Sequence, residues 1–245
     1  MAILPEISRT AGIFVTGTDT GVGKTVIAAG LTAALRAVGT RAVYFKPITS
    51  GATETEGGLI GEDARLAQEL AGLKEPLSLL APIVLRLPLA PAVAAAQTGV
   101  SIDLENIAQA YGELASRYDY LVVEGAGGLY VPLINTKFLV LDLALWLELP
   151  LVVVTRPGLG TINHTTLTVK AAVQAGLEVA GIIINQYPDC PGLAERTNPE
   201  IIAALTGRPI LGKVPYIPDF DDPSGRKRLI ESLVPLISRI YWPRP

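Results

Sequence analysis

Short apolar runs alternate with longer segments of helical periodicity along this chain. The runs lie at residues 13–16, 42–45, 120–123, 151–154 and 179–184, with a weaker one at 209–211. Helical patterns such as those at residues 24–38 and 165–175 separate them, the second followed by Gly176 as a C-cap. This alternation is typical of βαβ units. It predicts an α/β fold with a mostly parallel sheet, right-handed crossovers and helices on both faces.

Three further segments refine this organisation. Residues 138–155 contain Asp142, Glu148 and Pro150, so they predict a helix, a turn and a strand rather than a membrane span. Residues 76–99 carry four of the nineteen prolines and predict an irregular excursion that lines a site. At residues 226–240, an interrupting Pro235 favours a terminal packing helix over a basic membrane helix. Because no repeat or linker occurs, residues 1–245 are expected to form a single domain.

Composition agrees with a sheet that is buried on both faces. The 245 residues are 49% hydrophobic and 18% charged, with a formal net charge of −3. A negative balance disfavours a nucleic-acid partner, which basic patches normally bind. The single cysteine, Cys190, cannot form an internal disulfide, and the opening residues show no cationic stretch followed by a long apolar one. We therefore expect a cytoplasmic protein without a membrane partner.

A glycine-rich loop follows the first apolar run and precedes a helical pattern. Its sequence, GTDTGVGKT, spans residues 17–25 and has the strand, loop and helix context of a phosphate-binding loop (P-loop). Five residues rather than the usual four separate its outer glycines, so it is a longer variant. We expect ATP on the backbone N–H groups, the phosphates on Lys24 and magnesium on the hydroxyl of Thr25. The predicted nucleotide-binding residues are Asp19, Thr20, Gly21, Val22, Gly23, Lys24 and Thr25.

Charged residues at the ends of apolar runs are the next candidates, because ligands bind beyond the carboxyl ends of parallel strands. Lys46 closes AVYFK before Pro47, which favours an extended chain pointing into that crevice. Glu124 closes DYLVVE before GAGG and is a candidate magnesium ligand. Asp63, in GEDARLAQEL, is either a metal ligand or a helix cap.

Two other polar residues admit more than one interpretation. Asn185 ends AGIIIN, where it either binds a purine edge or simply forms a turn. His164, the only histidine, lies in GTINHTTL within the first turn of a predicted helix. Its neighbours Thr161 and Asn163 are natural helix caps, which favours a structural role for His164 over a catalytic one.

Six motifs together carry a family resemblance. GTDTGVGKT, FKPITSG, EDA, LVVEGAGG, GLGTINH and GIIIN, in this order, resemble dethiobiotin synthetase over residues 12–218. The resemblance implies closure of a cyclic urea on 7,8-diaminononanoate with carbon dioxide, ATP and Mg²⁺, through a carbamate and a phosphorylated carbamate, giving dethiobiotin, ADP and phosphate. The implied metal ligands are Thr25, Asp63 and Glu124, and the implied catalytic residues are Lys24 and Lys46. Implied substrate contacts are Thr20, Ser50, Gly127, Gly128, Gly160 and Asn163, with Asn185 and Pro215 at the adenine.

The same resemblance implies a homodimer whose active sites cross the subunit interface. Glycines leading into a helix expose N–H groups that favour an anion, so the turn at residues 160–163 is predicted to bind the substrate carboxylate of the other subunit. Two departures from the family pattern limit how far its residue roles can be assigned to this chain. Ala90-Pro91-Ala92 stands where some members have Ser-Pro-His, and ERTNPE offers Thr197 or Asn198 where some place a tyrosine on the carboxylate.

Two rival functions share the P-loop. A partitioning or positioning ATPase usually carries a second lysine early in the loop, where this chain has Asp19. An amide ligase of the cobyrinate-amidating type needs an ammonia source, usually a glutaminase domain with a reactive cysteine, and 245 residues leave no room for one. Both are therefore less favoured than the synthetase.

Overall fold

The computed structural model describes residues 4–220 and 222–240; positions 1–3, 221 and 241–245, including the first residues of the opening segment, lie outside the description. The strands, numbered along the chain, are β1 (Gly12–Gly17), β2 (Ala42–Phe45), β3 (Ile48–Ser50), β4 (Thr53–Thr55), β5 (Gly58–Ile60), β6 (Ile83–Leu85), β7 (Tyr120–Glu124), β8 (Pro132–Ile134), β9 (Phe138–Leu139), β10 (Leu151–Thr155), β11 (Val179–Tyr187) and β12 (Ile210–Pro215).

The helices flank these strands. They are α1 (Lys24–Ala37), α2 (Glu62–Ala71), α3 (Leu77–Leu80), α4 (Pro91–Thr98), α5 (Leu104–Arg117), α6 (Val140–Leu147), α7 (Thr161–Gln174), α8 (Leu193–Thr206), α9 (Pro223–Leu233) and α10 (Ile237–Ile240), with a short 3₁₀ turn at Val234–Leu236 between the last two. None of the helices in the described ranges is long and apolar enough to cross a membrane.

Six strands form one parallel sheet in the order β12-β11-β10-β1-β7-β2. All six apolar runs recognised in the sequence are these strands, so the predicted parallel α/β fold is confirmed. The strands are largely apolar because helices cover the sheet, and β1, β2, β7 and β10 are buried at every position. Their carboxyl ends meet at one side of the sheet, here called the carboxyl edge, and the opposite side is the amino edge.

The pairing of β2 with β7 matters most for the site. Ala42 lies opposite Tyr120 and Phe45 opposite Val123, so the register continued by one residue places Lys46 opposite Glu124. The same register continued backwards places Arg41 opposite Asp119. One strand pair therefore ends in a pair of opposite charges at each edge of the sheet.

The C-terminal segment packs as a helix, as the sequence predicts. Leu229 and Leu233 of α9 are fully buried and contact α1 at Gly30. A Cβ at Gly30 would lie 2.5 Å from Leu233 Cδ1, so the glycine permits the close approach of the two helices. Burying each leucine contributes about 1.5–3 kcal/mol, which anchors the end of the chain on the core.

Two predictions about local structure are wrong in detail. Residues 76–99 are not irregular throughout, because they form α3, β6 and α4, and β6 pairs in parallel with β3. Short elements with prolines at their ends do not produce a long periodic pattern. The helix predicted at residues 165–175 begins earlier, at Thr161, with Gly160 as its N-cap. The polar first turn hid this start, and Ala175 rather than Gly176 is the C-cap.

Candidate active site

The glycine-rich loop connects β1 to α1 at the carboxyl edge. Gly23 is the N-cap of α1 with φ 86°, a left-handed conformation that favours glycine. A Cβ at this position would also lie 2.0 Å from Asn185 Nδ2, so space as well as backbone geometry requires glycine. Lys24 is buried, and its Nζ donates to the carbonyl of Asp19 at 2.9 Å. The loop thus curls around a lysine ammonium at the N-terminus of a helix, an arrangement that favours phosphate.

A buried charge cluster lies beside this loop. Lys46 Nζ is 2.6 Å from Glu124 Oε1 and 2.8 Å from Asp63 Oδ2. Glu124 is 1% exposed, and its other carboxylate oxygen accepts a hydrogen bond from the Tyr44 hydroxyl at 2.6 Å. Asp63 lies in the first turn of α2, so a helix start delivers it, while strand ends deliver Lys46 and Glu124. The opposite charges compensate one another, because water has too little access to this buried site to hydrate them.

Burial and charge act against each other on the pKa values of this cluster. Burial alone would lower the pKa of Lys46, but the charges of Glu124 and Asp63 outweigh it and raise the pKa above its ordinary value. Burial likewise would raise the pKa of Asp63, yet the charge and hydrogen bond of Lys46 hold it below its usual range. Lys24 differs, since burial prevails and lowers its pKa. An incoming anion would therefore stabilise the charged form of Lys24, whereas Lys46 already has two carboxylate partners.

Three oxygen ligands converge at the start of α1. The Thr25 hydroxyl lies 2.9 Å from Asp63 Oδ1 and 3.0 Å from Glu124 Oε1. A hydroxyl has one hydrogen to donate, so it cannot satisfy both carboxylates at once. Two carboxylates and a hydroxyl are hard oxygen donors of the kind that Mg²⁺ prefers, and Mg²⁺ takes its remaining ligands from water and phosphates. The donor set fits magnesium. In the described ranges no group of three or more His, Cys, Asp or Glu side chains is arranged so that it could hold a metal ion.

These groups open into a cavity of about 770 Å³. Ten residues predicted from the sequence line it: Thr20, Gly21, Gly23, Lys24, Thr25, Lys46, Ser50, Asp63, Glu124 and Gly127. The segment 88–91 closes one side, so the excursion does line the site as expected, although Ala90 and Ala92 offer no side-chain hydrogen bond. The structure therefore gathers most of the predicted residues in one place.

A second cavity of about 530 Å³ adjoins the first, because Thr20 lines both. Asp19 and Gly128 line the second cavity together with Leu167 and Thr168 of α7. Five predicted residues line neither cavity: Val22, Gly160, Asn163, Asn185 and Pro215.

Asn185 holds the P-loop in this structure. Its Nδ2 donates to the carbonyl of Val22 at 3.0 Å, and the side chain is 2% exposed. The amide oxygen of Asn185 keeps its acceptor capacity. Pro215 ends β12 and lies opposite Tyr187, whose ring packs against Lys213 Nζ at 4.8 Å from the ring centre. These residues form the end of the carboxyl edge beyond the P-loop.

The turn before α7 is held by a buried hydroxyl contact on one side, while residues on its other side are exposed. Gly160 has φ 88°, and no side chain caps the helix, so Thr161 and Asn163 are not the caps that the sequence suggested. The Thr161 hydroxyl is instead buried, 2.8 Å from that of Thr155. Asn163 and His164 are exposed, and the His164 N–H donates to Gly160 O at 3.1 Å. The Thr161 N–H donates to Gly158 O at 3.3 Å, so within this first turn the N–H groups of Ile162 and Asn163 are the ones available to an anion.

Sequence reasoning missed three residues near the site. Tyr44 lies in β2, two residues before Lys46, which directly follows the strand, and this period-two spacing was a signal that both point to one face. Arg156 follows β10 and contacts the P-loop through Asp19 Oδ2 at 3.2 Å. Thr155 belongs to the hydroxyl cluster beneath the turn. No sequence pattern pointed to Arg156 or Thr155 as residues of the site.

This chain is similar to known proteins over most of its length. A family model described as an AAA domain matches residues 11–224. The ATP-dependent dethiobiotin synthetase of Thermodesulfovibrio yellowstonii is 39% identical over 218 residues, covering 86% of this chain and 91% of that protein. The enzyme of the same name from Bacillus subtilis strain 168 is 42% identical over 206 residues, covering 84% and 87%. That from Anaeromyxobacter dehalogenans is 45% identical over 208 residues, covering 85% and 91%.

Solved structures show the fold at greater distance. The cell division ATPase MinD of Pyrococcus furiosus matches with a TM-score of 0.54 at 17% identity, covering 94% of this chain and 98% of the other. MinD of Aquifex aeolicus matches with a TM-score of 0.55 at 17% identity, covering 94% and 96%. Sheet order, glycine-rich loop and flanking helices define a P-loop NTPase fold. Within this class the chain belongs to the dethiobiotin synthetase family, whose members are ATP-dependent ligases.

Proposed function

We propose that this protein converts 7,8-diaminononanoate and carbon dioxide to dethiobiotin at the expense of ATP. The observation that carries the proposal is the position of Lys46, whose buried ammonium faces the same 770 Å³ cavity as Lys24. Two cations in one cavity suit a reaction in which a carbamate and a phosphate must approach one another. Membership of the dethiobiotin synthetase family supplies the substrate.

The P-loop is the proposed ATP site. Backbone N–H groups of Thr20, Gly21, Val22 and Gly23, with the helix dipole of α1, would face the phosphates. In this role Lys24 Nζ leaves the carbonyl of Asp19 for the phosphate oxygens, which also restores the pKa that burial lowers. Asn185 and Pro215, at the end of the carboxyl edge, are the proposed adenine contacts, with the Asn185 amide oxygen as the acceptor.

Thr25, Asp63 and Glu124 would hold Mg²⁺. When bound, the ion neutralises charge on the transferred phosphate. Lys46 contacts both carboxylates in this structure, so a bound ion would share their negative charge with Lys46. We place Lys46 beside the carbamate and Ser50, which lines the same cavity, beside the diamine. Thr20, Gly127 and Gly128 would complete the substrate contacts where the two cavities adjoin.

The proposed chemistry proceeds in three balanced steps. One amine adds to carbon dioxide and loses a proton, giving a carbamate. A carbamate oxygen then attacks the γ-phosphorus of ATP, and ADP leaves. The second amine attacks the carbamate carbon and loses a proton as phosphate departs, which closes the urea ring. Lys46 and Lys24 stabilise the negative charge that gathers on carbamate and phosphate, so no protein nucleophile is required.

Product analysis tests the proposal directly. Purified protein is incubated with 7,8-diaminononanoate, bicarbonate and Mg-ATP, and the mixture is analysed by mass spectrometry. With ¹³C-bicarbonate, the expected product is dethiobiotin carrying one heavy carbon, formed together with ADP and phosphate. ATP hydrolysis that is independent of diamine and bicarbonate and stimulated by DNA or lipid would favour the positioning ATPase instead.

We further propose a homodimer in which the turn with Gly160 and Asn163 serves the neighbouring subunit. The substrate carboxylate lies several ångströms from the diamine, and the free N–H groups at the start of α7 favour an anion. Leu159, at the tip of this turn, is 93% exposed. The dimer should sediment at about 52 kDa, twice the 25.8 kDa of one chain.

Subunit mixing tests the shared site. Lys46→Gln and Asn163→Asp chains are each expected to be impaired, the second because its carboxylate repels that of the substrate. One site in each hybrid dimer draws both intact parts, so equal mixing should restore about a quarter of the wild-type sites. Hybrids that stay inactive despite confirmed subunit exchange would show that each chain builds its site alone.

A further inference from the structure

Tyr44 is a buried tyrosine whose hydroxyl reaches the candidate metal site from behind. It lies in β2, is 0% exposed and lines neither of the two cavities. The strand register places it opposite Val122 of β7, two residues before Glu124. Its hydroxyl is 2.6 Å from Glu124 Oε2 and is the donor, because an ionised carboxylate only accepts hydrogen bonds. Any influence of Tyr44 on the site therefore passes through Glu124.

The two oxygens of the Glu124 carboxylate have separate partners. Oε1 lies 3.0 Å from the Thr25 hydroxyl and 2.6 Å from Lys46 Nζ. Oε2 contacts the Tyr44 hydroxyl, which is its one hydrogen-bond partner among residues 4–220 and 222–240. Glu124 is 1% exposed, so water has little access to either oxygen. The Tyr44 hydroxyl thus occupies one oxygen and leaves the other for the position where the ligands converge.

Asp63 presents a single oxygen to the same position. Its Oδ1 lies 2.9 Å from the Thr25 hydroxyl, and its Oδ2 lies 2.8 Å from Lys46 Nζ. In each carboxylate a neighbouring donor therefore occupies the second oxygen. Ca²⁺ takes roughly six to eight oxygen ligands and accepts both oxygens of one carboxylate, whereas the smaller Mg²⁺ requires near-octahedral geometry. Carboxylates that each offer one oxygen suit Mg²⁺ better.

A buried tyrosine can also serve only the packing of the core, and Tyr120 illustrates that role. It is 0% exposed and begins β7 at the amino edge. Its hydroxyl donates to the backbone carbonyl of Ile240 at 2.7 Å, and it lines neither cavity. Tyr44 has the same burial, but its acceptor is a carboxylate that faces the first cavity. The two tyrosines therefore form a matched pair for an experiment.

We propose that Tyr44 is a positioning residue that makes Glu124 a single-oxygen ligand and so sets the preference of the metal site for Mg²⁺ over Ca²⁺. The inference rests on the metal site of the proposed function and adds to it a residue outside the cavities. Removing the hydroxyl leaves Oε2 without its partner. Ca²⁺ can then take both oxygens of Glu124, whereas Mg²⁺ gains nothing from the second one.

Competition between ions measures this preference without catalysis. Wild type, Tyr44→Phe and Tyr120→Phe are each loaded with Mn²⁺ and β,γ-methylene-ATP, with protein in excess over nucleotide. Electron paramagnetic resonance then follows the displacement of Mn²⁺ by Mg²⁺ or by Ca²⁺. The nucleotide has the same intrinsic affinity for each ion in every sample, so a change in the ratio of the two displacement constants reports the protein ligands.

The expected outcome differs between the two tyrosines. Tyr44→Phe should shift the ratio towards Ca²⁺ by about tenfold, the lower end of what a hydrogen bond to a charged group contributes. Tyr120→Phe should keep the wild-type ratio. In a Glu124→Gln background the side chain has one carbonyl oxygen, so adding Tyr44→Phe should cause no further shift. Wild type should prefer Mg²⁺ more strongly than the free nucleotide does, which is a measurement that needs no variant.

Other results would overturn the inference. An unchanged ratio in Tyr44→Phe, or an equal shift in Tyr120→Phe, would show that the Tyr44 hydroxyl serves only the core. A full shift by Tyr44→Phe in the Glu124→Gln background would show that it does not act through Glu124. A wild type with no more preference for Mg²⁺ than the free nucleotide would also refute the inference. In all these cases dethiobiotin formation by wild type keeps the proposed function, whereas failure of wild type to hold Mn²⁺ beside the nucleotide would refute the metal site as well.

Discussion

The strand pair β2–β7 ends in opposite charges at both edges of the sheet, but the two pairs are very different. Arg41 and Asp119 at the amino edge are 2.7 Å apart, with side chains 69% and 51% exposed. Lys46 and Glu124 at the carboxyl edge are 2.6 Å apart, with side chains 6% and 1% exposed. The two distances are nearly equal, so they do not distinguish the pairs. The pairs differ in burial: water screens the charges of the exposed Arg41–Asp119 pair, whereas it is excluded from the buried Lys46–Glu124 pair.

The difference in burial indicates which of the two pairs is the candidate for a functional role. Solvated ion pairs contribute little to stability and tolerate substitution. A buried pair pays a large desolvation cost and is weak evidence for stability, so its retention calls for another reason. Here the reason is chemical: the buried pair faces the cavity together with Lys24, Thr25 and Asp63. The amino edge lines neither of the two cavities described above.

The largest effect is expected at the carboxyl edge for Lys24→Ala. It removes the ammonium proposed to bind the phosphates, so turnover should fall by about 10³-fold or more and ATP binding should weaken by on the order of 1.5–3 kcal/mol. Calorimetry with ATP and a product assay measure the two quantities. Wild-type affinity and turnover in this variant would rule out the P-loop as the ATP site.

A direct comparison of the edges uses Lys46→Gln and Arg41→Gln. The first should lower dethiobiotin formation by about 10²-fold while leaving ATP affinity close to wild type, because the proposed mechanism places Lys46 beside the carbamate rather than the nucleotide. The second should change neither quantity. Calorimetry and mass spectrometry on both variants provide the measurement, and loss of ATP affinity together with product formation in Lys46→Gln would contradict the role assigned to it.

A smaller effect is expected for the carboxylates. Asp63→Asn and Glu124→Gln each replace an anionic oxygen with a neutral one, which hard cations bind less well. The Mg²⁺ concentration for half-maximal activity should rise on the order of tenfold, equivalent to about 1.4 kcal/mol. Asp119→Asn, the matched change at the amino edge, should leave the titration unaltered. A normal Mg²⁺ titration for either buried carboxylate would remove that residue from the proposed metal site.

The smallest effect concerns the amino edge at alkaline pH. Partial burial and the hydrogen bond to Glu75 raise the pKa of Tyr118 to about 12. A raised pKa means that the folded state holds the proton more tightly than the unfolded state, whose tyrosine pKa is about 10. The associated stability is complete below pH 10 and is lost as the pH rises through about 12. Tyr118→Phe should reduce this loss.

Urea unfolding of wild type and Tyr118→Phe at pH 8–12 measures the difference. Product formation at neutral pH should be equal in the two proteins, because Tyr118 lies away from the cavities. Parallel pH curves for the two proteins would show that the Tyr118–Glu75 contact does not control alkaline stability.

Much of the fold was predictable because its elements are locally encoded. Buried parallel strands need uninterrupted apolar runs, so all six strands of the sheet were recognised, and β2 matched at both ends. Boundaries failed where local signals were weak. The start of α7 was placed four residues late because its first turn, TINH, is polar and its cap is a glycine without a side chain.

The candidate site was predictable in part, for a related reason. The P-loop could be recognised from its motif, and Lys46 and Glu124 could be recognised because each stands at the end of an apolar run. Asp63 could not be assigned in this way, since an aspartate at a helix start is explained equally well as a helix cap. Only the packing of α2 against α1 brings Asp63 to Thr25, at 2.9 Å between oxygens.

The sequence by itself determined the parallel sheet, the phosphate-binding loop and the family, because periodicity and contiguous motifs are properties of neighbouring residues. Tertiary structure alone decided which charges are buried, that Asn185 holds the P-loop and that Asn198 holds the turn. It also brought Arg156 to Asp19, 137 residues away in the chain. Such contacts depend on how strands and helices pack, and burial, which sets the strength of every charge in the site, exists only once they have packed.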